Sequence, residues 1–151
     1  MRSDAPLLWP CPNCGRHFAN RGQSHTCRPL GTVDDHFLGA EPHVRETYDR
    51  LVRLMGQIGA FVVLPEKTRI AFQVRMSYAA LMPRRRWLDG HVVLSRRLES
   101  PRFRRIDAYS RHNVVHAFRL HAPAEVDGEV EAWLREAYAV GAQRHLRRAG
   151  E

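Results

Sequence analysis

Between two stretches of helical periodicity the chain switches to a period of two, and that switch limits the folds open to it. After Pro42, the apolar residues Val44, Tyr48, Leu51, Met55 and Ile58 recur at helical spacing, so residues 42–57 read as an amphipathic helix that ends at Gly56 and Gly59. A second helix opens at Pro123 and runs to about Arg147, with Val126, Val130, Trp133, Leu134, Ala137 and Tyr138 on one face. Between them FVVLP, RIAFQVR, YAALMP, WLDGHVVLS and NVVHAFRL are short, rich in β-branched and aromatic residues, and bounded by proline, glycine or charge. They read as antiparallel strands. The intervening SRRLESPRFRRIDAYSRHN reads as a long basic connection with room for one helical turn. Asp89-Gly90 also carries a turn signal, which would make WLDGHVV a hairpin or a bulge. The fold class is α+β: an antiparallel sheet of four to five strands with both helices packed on one face, because each helix has one apolar stripe. This domain spans residues 35–147.

The same alternation describes the other sheet face. Thr68, Ile70, Phe72 and Val74 point one way, and Lys67, Arg69, Ala71, Gln73 and Arg75 the other. In the later strands Asp89, His91 and Val93, then Asn113, Val115, Ala117 and Arg119, share the side away from the helices. An open, largely cationic face is expected. The net charge is +8, and it is concentrated: Lys67 to Arg119 holds 13 basic residues against Asp89, Glu99 and Asp107. Lys67 is the one lysine in the chain. A field of this sign favours anionic partners.

All three cysteines lie in CPNCGRHFANRGQSHTC, residues 11–27. An odd number excludes complete pairing into disulfides. Cys11-x-x-Cys14 aims two sulfurs at one point, and Gly15 can take the positive φ that closes the turn. His25 and Cys27 add two donors, completing a Cys3His set that fills a tetrahedral shell. This predicts one structural zinc ion per chain, in a module at residues 8–28, because no coordination position is left for water. His17 is the alternative nitrogen ligand, but three residues past Cys14 it would strain the knuckle; His36 is a more distant candidate. A redox C-x-x-C or an inert thiol cluster are the competing readings. The opening MRSDAPLLWP is too interrupted for a signal peptide, and no apolar run approaches a bilayer span. A cytoplasmic, reducing location without membrane contact is expected.

The string KTRIAFQVRMSYAALMPRRRWLDGHVVLSRR, with PRFRRI, NVVHAFRL and EVEAWLREAY after it, resembles a bacterial family known as a domain of unknown function, in some descriptions a predicted transport-protein domain. The likeness covers residues 35–147, and members with an N-terminal CPxCGRxF…HxC segment are similar over nearly the whole chain. It implies a small α+β domain with a zinc-knuckle appendage. It implies no activity, so no catalytic residue follows from it.

Three functions are compatible with these residues. The first is a non-enzymatic intracellular binding protein for an anionic partner, nucleic acid before others. Lys67, Arg69, Arg75, Arg84, Arg85, Arg86, Arg102, Arg104 and Arg105 would bind phosphates, with Trp87, Phe103 and Tyr109 among them for stacking. A merely solvated arginine face is the competing account. The second is a pocket or enzyme site, in which Lys67 and Arg69 converge with His91, Tyr109 and His116 on a small anion. His116 shares a face with Val114 and Phe118, which equally fits a hydrogen-bonded core histidine. No G-x-S-x-G, Walker loop or H-E-x-x-H occurs. The third is an adaptor, its partner another protein or a second copy over the open face.

Overall fold

Pro42 supplies the fixed φ of a first helical turn, and α1 (Pro42–Ile58) follows it, burying Val44, Tyr48, Leu51 and Met55. The structure, a computed structural model, describes residues 6–25, 27 and 30–144. In chain order the remaining elements are β1 (Trp9–Pro10), β2 (His17–Phe18), a 3-10 turn (Asp34–Phe37), β3 (Val62–Pro65), β4 (Ile70–Gln73), β5 (Ser77–Pro83), β6 (Leu88–Leu94), β7 (Phe103–Ser110), β8 (Asn113–Leu120), a second 3-10 turn (Pro123–Glu125) and α2 (Gly128–Gly141). The helix predicted from Pro123 to about Arg147 is shorter: Pro123 opens only a 3-10 turn, and α2 starts at Gly128 behind the Asp127 cap and ends at Gly141; Arg147 itself lies outside the described residues.

β3 to β8 form one antiparallel sheet in the order β3-β4-β5-β6-β8-β7, so it has six strands and not four to five. The strand missing from the sequence reading is β7, taken there for a connection. It is an edge strand with most side chains exposed, so RRIDAYS has no buried face to impose an alternating pattern. The β6–β7 connection must cross β8 to reach that edge. It crosses on the helix side, where Leu98 N–H donates to Nε2 of His116 at 2.9 Å. Asp89-Gly90 is neither hairpin nor bulge. Both residues lie within β6, and glycine is needed there because a Cβ would meet Leu81 and Phe118 at 2.8 Å.

Both helices cover one face of the sheet. Val130, Trp133, Leu134, Ala137 and Tyr138 of α2 join the buried α1 residues over Ile70, Phe72, Leu81, Leu88, Val92, Leu94 and Phe118. Asp127 caps α2, its carboxylate accepting from Val130 N–H at 3.1 Å. β6 and β8 alternate strictly between buried residues on this face and half-buried ones on the other. β4 does not alternate: all four of its residues are buried. The outer face expected to be open is covered there by the N-terminal segment. Gln73 Nε2 donates to the His17 carbonyl at 2.6 Å, Arg16 pairs with Glu66 at 3.0 Å, and Arg75 donates to the Pro6 carbonyl.

Candidate metal centre and cationic groove

β1 and β2 pair as a two-residue ladder that brings together the chain on either side of the Cys11–Cys14 turn. The turn between them closes through Gly15 N–H to Cys11 C=O and Cys11 N–H to Arg16 C=O, both 2.8 Å, with Gly15 at φ +75°. Ligand atoms of Cys11, Cys14, His25 and Cys27 all lie within 4.8 Å of one another, near enough to hold a metal ion. Cys14 Sγ stands 3.3 Å and Cys27 Sγ 3.1 Å from His25 Nε2, and Cys11 Sγ 3.6 Å from Cys27 Sγ. A tetrahedral zinc shell needs ligand separations of about 3.6–3.8 Å, so a small contraction or expansion of these distances completes it.

His25 is oriented as a metal ligand would be. Its Nδ1–H donates to the Gln23 carbonyl at 2.7 Å, which leaves the Nε2 lone pair facing the sulfurs. Phe18 packs on the ring, centroids 4.2 Å apart. Burial raises the Cys11 thiol, but amide hydrogen bonds from Cys14 and Asn13 and the neighbouring thiols bring it down to about 6. Its sulfur in turn helps push Cys27 up to about 11. Thiolates this close repel one another, and a dication between them removes that penalty. His17 is exposed and contributes its carbonyl to Gln73, and His36 bonds the Glu66 carbonyl at 2.7 Å; neither belongs to the cluster.

Between this module and the sheet lies a groove of about 1040 Å³, large for a small-molecule site. Its charged walls are Arg16 from the module, Glu66, Lys67 and Arg69 from the β3–β4 turn, and Asp35 from the first 3-10 turn. The β3–β4 turn is closed by Glu66 N–H to Arg69 C=O at 2.8 Å, which sets Lys67 and Thr68 at its tip. Glu66 is shared: one oxygen accepts from Arg16 Nη1 at 3.0 Å and the other from Arg69 Nε at 2.8 Å. Lys67 has no ion pair among the described residues.

A family model described as a domain of unknown function (DUF5655) matches residues 33–141, from the first 3-10 turn to the end of α2. The chain belongs to the DUF5655 family. No curated protein and no solved structure matches the chain. The cysteine segment lies before the matched residues, so the groove forms where this segment meets the DUF5655 domain. No helix among the described residues is long and apolar enough to cross a membrane.

The arginine block on the DUF5655 domain is largely answered by carboxylates, several from outside the block. Arg84 and Arg119 share Asp89, at 3.1 and 2.7 Å. Arg102 bonds Asp127 and Glu129 and lies 5.2 Å over the Trp133 ring. Arg96 pairs with Glu136, Arg97 with Glu99, Arg86 with Glu41 and Arg105 with Asp107. Trp87 is engaged too, with the Arg119 guanidinium 4.2 Å above its ring. Burial pushes Asp89 up, yet Arg119 and Arg84 hold it below the usual carboxylate range. Arg85, Arg104 and Arg111 have no carboxylate partner among the described residues, and Arg75 is held by Gln143.

The three remaining candidates do not meet Lys67 in one pocket. Tyr109 is 75% exposed on the far edge strand. His116 is fully buried on the helix side, its Nδ1–H donating to Val114 C=O at 3.0 Å and its Nε2 accepting from Leu98. Those two bonds fix it as a neutral core histidine that pins the β6–β7 connection. His91 lies on the outer face between Ala80 and Ala117, and burial, then the charge of Arg69, pushes it down to about 4. The neutral ring is therefore favoured by folding. Stability from this group is complete above pH 6.5 and is lost as pH falls towards 4, because the unfolded chain then takes up a proton that the folded one refuses. His91→Leu should remove up to about 3 kcal/mol of the pH dependence across that window, read by urea denaturation at each pH. An unchanged dependence would contradict the burial of this ring. Sequence reasoning missed Arg16 and Glu66, the residues that join module to sheet; no motif marks them, because their roles arise from contacts 50 residues apart.

Proposed function

We propose that this DUF5655 chain is a non-enzymatic binding protein in which structural zinc holds the N-terminal module on the sheet and the groove beneath takes an anionic ligand. The observation that carries the reading is the placement of Lys67, unpaired among the described residues, in the lining of one groove with Arg16 and Arg69. Zinc is favoured by the donor set: three sulfurs and one imidazole nitrogen suit a closed tetrahedral shell. Groove and charge together favour a small ligand over a polymer. Three cations face Glu66 and Asp35, a surplus of one, which suits a single anionic group.

A second reading, nucleic acid, is favoured by β7 and the turn after it, where Tyr109 is exposed and Arg104 and Arg111 lack carboxylate partners among the described residues. Calorimetric titration with phenyl phosphate and with a short single-stranded oligonucleotide separates the two. The groove reading expects saturable one-to-one binding of phenyl phosphate, weakened about tenfold or more by Lys67→Met. Oligonucleotide binding that falls steeply with salt and ignores Lys67→Met, with no phenyl phosphate binding, would replace it by the β7 reading.

A further inference from the structure

Arg16 is the most confined cation of the groove, its side chain only 12% exposed. Nη1 is taken by Glu66, and the guanidinium carbon lies 5.1 Å over the Phe18 ring. Nε is buried and has no hydrogen-bond partner among the described residues. A buried donor without an acceptor costs about 1–3 kcal/mol, so it marks a place where an acceptor is missing. Nε also belongs to the edge of the guanidinium that, with the second terminal nitrogen, grips an oxyanion through two parallel hydrogen bonds. Glu66 occupies the other edge and fixes the plane of the group. Lys67, which lines the same groove, adds a compact positive charge that needs no fixed direction. Elsewhere the wall includes Phe18, Leu30 and Met76, which give an apolar body somewhere to pack.

We infer that Arg16 is the ligand-orienting residue of the groove and that the ligand is a small organic molecule carrying one terminal oxyanion, a carboxylate or a phosphate, gripped side-on by Arg16 and neutralised by Lys67. This rests on the groove reading above and narrows it to a chemical class. It gives the metal module a direct part in recognition, since Arg16 follows the Cys11–Cys14 turn and its carbonyl closes that turn.

The test is Arg16→Lys in the full, zinc-loaded chain, titrated with phenyl phosphate and with benzoate. Lysine keeps the charge and the pairing with Glu66 but lacks the fork. Affinity for whichever probe binds the native chain should fall about tenfold or more. Zinc content and thermal midpoint, measured alongside, should stay as in the native chain; Arg16→Gln serves as the second variant if lysine disturbs the module. A preference for phenyl phosphate or for benzoate identifies which oxyanion the groove takes. Binding that depends on Lys67 but is unchanged in Arg16→Lys and Arg16→Gln would overturn the inference and leave the groove reading standing. Binding of neither probe by the native chain would overturn both.

Discussion

Cys11→Ser, or removal of the metal by a strong chelator, is expected to unfold residues 6–27 while the DUF5655 domain stays folded. The module has almost no core of its own. Its two strands are two residues long each, and its fully buried apolar side chains are Cys11 and Phe18. Burying one phenylalanine contributes about 2–3 kcal/mol, too little to offset the entropy of ordering the segment. Structural zinc supplies about 10–16 kcal/mol in comparable small sites, several times what that side chain contributes. Elemental analysis should find about one zinc per chain. Hydrogen exchange should then show the amides of Cys11 and Gly15, bonded to Arg16 and Cys11 carbonyls, losing protection in the stripped protein. Protection that survives chelation would mean that packing on the sheet holds the module unaided.

Trp133→Ala should cost the domain about 3–5 kcal/mol, read as a shift of the urea midpoint. Trp133 is 2% exposed, and its ring lies 4.5 Å from that of Phe103 and 5.6 Å from that of Phe118. Phe103 is the inward-facing anchor of β7, and the cation stacked on Trp133 is Arg102, one residue earlier. Deleting the indole therefore removes core volume and also the surface against which the edge strand is held. β7 amides should exchange faster in the variant than β4 or β5 amides. A loss below about 1 kcal/mol would show that the neighbouring aromatics collapse into the cavity.

The elements with a buried face were legible in the sequence. Val44 to Ile58 and Val130 to Tyr138 announce the two helices because apolar residues must recur at 3.6 to reach one core. β6 and β8 announce themselves by alternation, even with Asp89-Gly90 imitating a turn, because Leu81 and Phe118 close over Gly90 and exclude a larger residue. β7 was not legible, since a strand exposed on both sides is free of the pattern. The Cys11, Cys14, His25 and Cys27 cluster was legible because coordination demands residue types at fixed spacing. The groove was not. Lys67 stood out as a lone lysine, but its neighbours Arg16 and Glu66 come from distant parts of the chain. Nor could the count of basic residues reveal that Asp89, Asp127, Glu129 and Glu136 answer so many of them.

The groove exists only while the module sits on the sheet, so metal and ligand should be bound cooperatively. Calorimetric titration of the probe that the native chain binds, phenyl phosphate or benzoate, into zinc-loaded and metal-stripped protein tests this most directly. The zinc-loaded chain should bind one equivalent and the stripped chain none. Equal affinity in both forms would contradict a ligand site built from the module and the sheet together.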